Sequence, residues 1–218
     1  MMTHGLLAKK IGMTRVVDDN GNMVPVTLLQ IEKQGVTKII TPERDGGHGI
    51  QIGYNVKAEK KLTKADVTRL RKVQVDSNFS KFKEFRFQEA PKTEFTLNQI
   101  LTAELLTGIT SVDVTGFTKG RGFTGALRRW NSACGRMTHG SRFHRRPGSL
   151  GMRSTPGRVF KNKHQPGQWG NEQTTVRNLS VVDIDTSNNV VALKGSVPGF
   201  RDGFVIISPS TKSVSKEG

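Results

Sequence analysis

Apolar and polar positions alternate in short runs at both ends of the chain and lose that order in the middle. Leu6 to Lys10, Arg15 to Val17, Met23 to Glu32, Val36 to Ile40 and Ile50 to Asn55 hold most of the aliphatic residues of the first quarter, which predicts strands. Turn chemistry separates them. Asp18-Asp19-Asn20-Gly21-Asn22 carries the Asn and Gly that a tight hairpin wants, and Thr41 to Gly49 reads as a loop with Pro42 and three Gly. Thr174 to Asp185, Val190 to Lys194 and Phe204 to Ser208 read as three more strands, punctuated by Ser187-Asn188-Asn189 and Pro198-Gly199. The economical architecture is a mainly β protein: a barrel body from residues 1–56 and 172–208, insertions between them, and a flexible tail over 209–218.

Residues 57–113 have a different texture. Thr63 is placed to cap a short helix through Arg71, and Phe82, Phe85 and Phe87 fall in a stretch of near alternation, so a small α+β insertion is expected. Glu84 and Glu89 stand beside these aromatics, which favours core packing over a base-stacking platform.

From Val114 to Asn171 neither period is present. These 58 residues contain no Asp or Glu, but nine Arg, three Lys, three His and eleven Gly. They hold 12 of the chain's 34 Lys and Arg; the other 22 face 18 acids, so +12 of the net +16 sits in about a quarter of the chain. Such a segment repels itself and lacks the apolar residues for a core, so it needs a polyanion around it. Nucleic acid is that polyanion, and the sequence pI near 10.4 agrees. A membrane surface would require an amphipathic helix, which the glycines with Pro147, Pro156 and Pro166 oppose. No run approaches the roughly 18–20 apolar residues of a membrane span, and Met1 to Lys10 lacks the apolar run of a secretory signal. With Cys134 as the single cysteine, a soluble protein in a reducing compartment is expected.

The Arg bias narrows the partner. A planar, weakly hydrated guanidinium suits bidentate phosphate contact in a crowded, partly desolvated site. Phe117, Phe123, Trp130, Phe143, Phe160 and Trp169 interleave with the arginines at no regular period, a pattern suited to stacking on unpaired RNA bases. Phe117, Phe123 and Trp130 are instead expected to pack the segment onto the body. Fully extended, 58 residues reach at most roughly 190 Å, so an out-and-back loop projects at most about half of that. An irregular segment this long implies a partner that orders it.

Other chemistries fit less well. Gly120 to Gly125 spells G-x-G-x-x-G between a strand at Val112 to Val114 and a helix at Ala126 to Trp130, but the acid that would hold a ribose is missing until Glu172. The helix start can still meet an RNA phosphate. Cys134, His139, His144 and His164 lack the paired spacing of a zinc site and any carboxylate to orient a general base, so no cofactor and no metal are expected. Two alternatives remain: a general DNA- or RNA-compacting protein, which the charge permits, and a hydrolytic enzyme acting on RNA or an ester through Gln168 or the histidines, for which no nucleophile with a base is visible.

Several longer motifs stand in one order along the chain: GLLAKKIGMT at Gly5 to Thr14, VDVTGFTKGRGFTG at Val112 to Gly125, RWN at Arg129 to Asn131, THGS at Thr138 to Ser141, and HRRPGS at His144 to Ser149. TPGRVFK at Thr155 to Lys161, GQWGN at Gly167 to Asn171 and VALKGSVPG at Val191 to Gly199 complete the set. Together they resemble the bacterial-type large-subunit ribosomal protein L3 family across nearly the whole chain. The resemblance implies a six-stranded β-barrel of the translation-protein type, a small α+β module, and a long extended loop, residues 114–171, that penetrates large-subunit RNA towards the peptidyl-transferase centre. It also implies a non-catalytic role in early subunit assembly, in the cytoplasm or in an organelle, beside other large-subunit proteins. The residues expected on RNA are Lys119, Arg121, Arg128, Arg129, Trp130, Arg136, His139, Arg142, His144, Arg145, Arg146, Arg153, Arg158, Lys161, Lys163 and Trp169. Gln168 matches the position that some members carry as N5-methylglutamine, which implies a glutamine methyltransferase as a partner. Trp169 stands where the family pattern often has Met, and Asn131 to Met137 departs from the usual Gly-rich spelling.

Overall fold

The computed structural model describes residues 5–18, 20–73, 75, 77–87 and 95–210. The first strand, β1 (Leu6–Val17), turns into β2 (Met23–Gln30) through the expected hairpin, where the Gly21 amide donates to the Asp18 carbonyl at 2.8 Å and Gly21 takes a φ of 77°. The sequence suggests a break between Lys10 and Arg15. Instead β1 is continuous and absorbs the irregularity as a register shift between Lys10 and Gly12, since one extra residue bends a strand without ending it.

After β2 come β3 (Gly35–Ile40), a one-turn helix α1 (Pro42–Asp45), β4 (His48–Val56), a 3-10 turn at Glu59–Lys61, α2 (Lys64–Lys72) and β5 (Phe79–Phe87). Thr63 caps α2 as its position suggests: its hydroxyl accepts from the Asp66 amide at 3.2 Å. A 3-10 turn at Ala103–Leu106 leads to β6 (Ser111–Phe117), then β7 (Gly122–Thr124), α3 (Ala126–Trp130), β8 (Gly167–Trp169), β9 (Gln173–Asp185), β10 (Val190–Lys194) and β11 (Phe204–Pro209).

Six strands close a barrel in the order β1-β11-β6-β9-β10-β2. Its interior is aliphatic: Leu29, Val112, Val114, Val191, Leu193 and Ile207 are fully buried. Two assignments from sequence need correction. β3 and β4, within the 1–56 stretch read as barrel body, leave the barrel and pair with β5 in a separate antiparallel sheet, β3-β4-β5. Ser111–Phe117, which overlaps the stretch read as insertion, is a barrel strand between β11 and β9. The local pattern could not assign these partners, because the five consecutive buried positions of β4, Gly49 to Gly53, show no alternation to mark a face. The three-stranded sheet and the barrel share one core that joins Ile50, Ile52, Phe85 and Phe87 to Leu6, Leu7 and Val205. Pro209, expected in the tail, completes β11 opposite Val112; residues 211–218 and Glu89 lie outside the described residues.

Chain contacts divide the protein into two compact units, one of residues 1–116 with 174–218 and one of Phe117–Gln173.

Candidate nucleic-acid interface

The second unit is almost all surface. Its ordered base is a two-stranded ribbon, β7 with β8, pairing Gly122 with Trp169, Phe123 with Gln168 and Thr124 with Gly167. Below the ribbon the two strands are tied by Thr118 amide to Glu172 carbonyl at 2.9 Å, and by Asn171 amide to Thr118 carbonyl at 3.2 Å. Gly170 is required here. Its φ is 74°, and a Cβ would sit 2.1 Å from the Lys119 carbonyl oxygen, which no shift of a side chain relieves.

α3 follows β7 and lasts five residues, ended by Asn131 in a left-handed conformation at φ 54°. The helix expected at Ala126–Trp130 is present, but the G-x-G-x-x-G string does not turn from strand to helix as a dinucleotide site requires. Gly122–Thr124 is itself a ribbon strand, and a single turn and a half leaves little dipole to hold an anion.

Two side chains from the last turn of α3 converge on one acceptor. Arg129 Nη1 and Trp130 Nε1 donate to the Gln165 carbonyl at 3.1 and 2.9 Å, and the Trp130 ring stacks on His164 at 4.5 Å between centroids and 7° between planes. Arg121 lies 4.0 Å over the Trp169 ring from across the ribbon. These contacts hold both ends of the intervening loop, residues 131–166, which has no helix or strand. Within it a few bonds set local turns: Gly135 amide to His144 carbonyl at 3.2 Å, and His144 Nδ1 to the Arg136 carbonyl at 3.1 Å. Cβ space is again absent at Gly135, 2.0 Å from the Phe143 carbonyl oxygen.

Of the residues expected on RNA, Arg129, His144 and Trp169 are half-buried and the rest are exposed: Lys119, Arg121, Arg128, Trp130, Arg136, His139, Arg142, Arg145, Arg146, Arg153, Arg158, Lys161 and Lys163. Among the described residues every ion pair lies outside 114–171, so these cations have no internal counter-charge. The structure draws Arg121 to Trp169 and Arg129 to Trp130, whereas Arg142, Arg145, Arg146, Arg153, Lys161 and Lys163 are spread along the loop. The expected packing of Phe117, Phe123 and Trp130 onto the body is corrected: they are 56%, 79% and 42% exposed. The loop lacks the apolar partners that would cover Phe117 and Phe123, whereas one face of the Trp130 ring is taken by His164. No described group of three or more His, Cys, Asp or Glu is placed to hold a metal ion. Gln168 is exposed and directly opposite Phe123 on the ribbon.

Sequence reasoning missed the ribbon and the role of Gln165, whose backbone oxygen anchors the loop. Three-residue strands carry too few positions to show a period, and a carbonyl carries no residue-type signal.

The family model described as "Ribosomal protein L3" matches residues 82–192. The chain is 39% identical over 213 residues to "Large ribosomal subunit protein uL3" of Tolumonas auensis, covering 97% of this chain and 100% of that protein. It is 41% identical over 212 residues to the protein of that name in Geotalea daltonii, with coverage of 97% and 99%, and 40% identical over 210 residues to that of Vibrio cholerae, with 96% and 99%.

Proposed function

Because the chain belongs to the bacterial-type ribosomal protein L3 family, we propose that it is a structural constituent of the large ribosomal subunit whose second unit, Phe117–Gln173, lies within large-subunit RNA. It is not an enzyme; the family is a structural one. One observation carries the reading: a run of exposed arginines and aromatics with no internal counter-charge, tethered by a defined ribbon. Guanidinium groups fork onto phosphates, exposed rings stack on splayed bases, and the glycines allow close approach of the backbone to RNA. The barrel, of the translation-protein type, anchors that loop.

The finer reading follows the family resemblance. The loop runs towards the peptidyl-transferase centre, the protein joins the subunit early and stabilises the RNA around it, and neighbouring large-subunit proteins cover part of the barrel. The site of action is the large subunit of cytoplasmic ribosomes. Gln168 is exposed on a short, well-paired strand, which suits a glutamine methyltransferase that needs the side-chain amide and a fixed backbone.

Sedimentation of the tagged chain from cell extract, followed by identification of the bound RNA, tests the assignment. Cosedimentation with the large subunit is expected; recovery with bulk DNA or with no ribosomal particle contradicts it. In solution, contact with some 6 to 10 phosphates makes affinity for large-subunit RNA fall by roughly 10³ to 10⁵ between 50 and 200 mM salt. A flat salt response contradicts burial of the arginines on phosphates.

A further inference from the structure

Residues 57–87 form a second concentration of positive charge, chemically unlike the first. They hold seven Lys and three Arg against four acids, whereas 114–171 favours Arg over Lys nine to three. Three of those acids are engaged locally. Glu59 pairs with Arg71 at 2.7 Å, Asp66 accepts from the Thr63 hydroxyl at 2.6 Å, and Glu84 accepts from Gln51 Nε2 at 3.1 Å.

What remains is a stripe on α2. Lys64, Thr68 and Lys72 stand at i, i+4 and i+8, on one side of the helix and about 12 Å from end to end. A self-sufficient surface helix places Glu three or four residues from its lysines. Within α2 neither Lys64 nor Lys72 has such a carboxylate, and Lys72 has Arg69 instead. The stripe borders an open groove of about 530 Å³ lined by Lys64, Ala65, Thr68, Arg69, Lys72 and Val73. Arg69 is held in place from below: its guanidinium lies 4.7 Å over the Phe82 ring, and its Nη2 donates to Gln51 Oε1. Gln51 is itself buried and bonded to the Thr37 hydroxyl at 3.1 Å. A fixed guanidinium therefore stands between two lysines on flexible stems.

We propose that this groove on α2 is a second RNA-docking surface, which takes the phosphate backbone of an RNA strand independently of the Phe117–Gln173 unit. Three cations on one open surface, with no acid among its described lining residues, complement a chain of evenly repeated anions. The choice of Lys over Arg fixes the kind of contact. A strongly hydrated point charge reads phosphate without desolvation or base geometry, so this contact sits at the solvated edge of the RNA and is sensitive to salt. The identity of the polyanion as RNA rests on the ribosomal reading above; the acid-free lining of the groove does not.

The test is carried out on the full chain with purified large-subunit ribosomal RNA. Lys64→Gln with Lys72→Gln removes the flexible cations, Lys64→Arg with Lys72→Arg keeps the charge, and Arg145→Gln with Arg146→Gln weakens the loop. The Gln pair should make the slope of log affinity against log salt shallower by about 1.4 to 1.8, and the Arg pair should restore it. Thermal melting checks that all three fold, and the exposed positions of both pairs make retention of the fold the expected result. If only the loop variant changes the slope, the groove proposal falls and the ribosomal function stands. If neither variant changes it, both fall. If the Gln pair binds RNA like the parent but is lost from assembled subunits, the groove holds an acidic protein and the RNA assignment is overturned.

Discussion

Asp185 shows how one side chain can set a turn. Its carboxylate accepts from Asn188 Nδ2 at 2.7 Å and from the Ser187 and Asn188 amides at 2.9 and 3.2 Å, closing the β9–β10 connection. Those bonds, the Asn188 side chain first, hold its carboxyl below the ordinary carboxylate range. A lowered folded pKa stabilises the protein above the unfolded value and loses that contribution as pH falls through the folded one. NMR titration should place the Asp185 midpoint below that of a free Asp, and Asn188→Ala should raise it. An Asp185 midpoint unmoved by Asn188→Ala would refute the turn as the cause. The residue scale also accounts for Trp130. Its spacing from the arginines suggested packing or stacking on RNA, but only coordinates reveal that His164 occupies a ring face and that its indole donates to Gln165.

At the scale of elements, Gln34 repairs a gap in the barrel. β1 pairs with β2 only from Lys9 onward, and two residues earlier the Leu7 amide donates to Gln34 Oε1 at 3.0 Å while Gln34 Nε2 donates to the Leu7 carbonyl at 3.1 Å. A fully buried side-chain amide thus continues the ladder where the partner strand has ended. Gln34→Leu keeps the volume and orphans both backbone groups, so the chain should lose about 1–3 kcal/mol per group in a denaturant melt. A loss below about 0.5 kcal/mol would mean that water or a shifted strand fills the gap. The same scale explains how far strands were legible. β2, β9, β10 and β11 were readable within two residues because their apolar runs end in turns. β7 and β8 were not readable, since three residues show no period, and β4 was read as a strand but joined to the wrong sheet.

The whole molecule combines a barrel closed by strands from both ends of the chain with a loop that few hydrogen bonds hold. Limited trypsin digestion of the free protein should therefore cut first within residues 131–166, where arginines are exposed and the backbone is irregular. The two fragments should remain together, because β1, β2 and β6 precede the cut while β9, β10 and β11 follow it. Bound large-subunit RNA should protect the site. First cleavage in residues 57–87, or fragments that separate without denaturant, would contradict this division of stability.

Composition and order alone determined that this chain is mainly β, that one acid-free stretch needs a polyanion, and that its motifs follow the L3 pattern, because charge and motif order are local properties of the string. Strand partners, the shared core of barrel and sheet, and the ribbon under the loop were decided only by tertiary structure. Each depends on residues far apart in sequence coming to within a few ångströms, and no local period records which distant strand or carbonyl will be there.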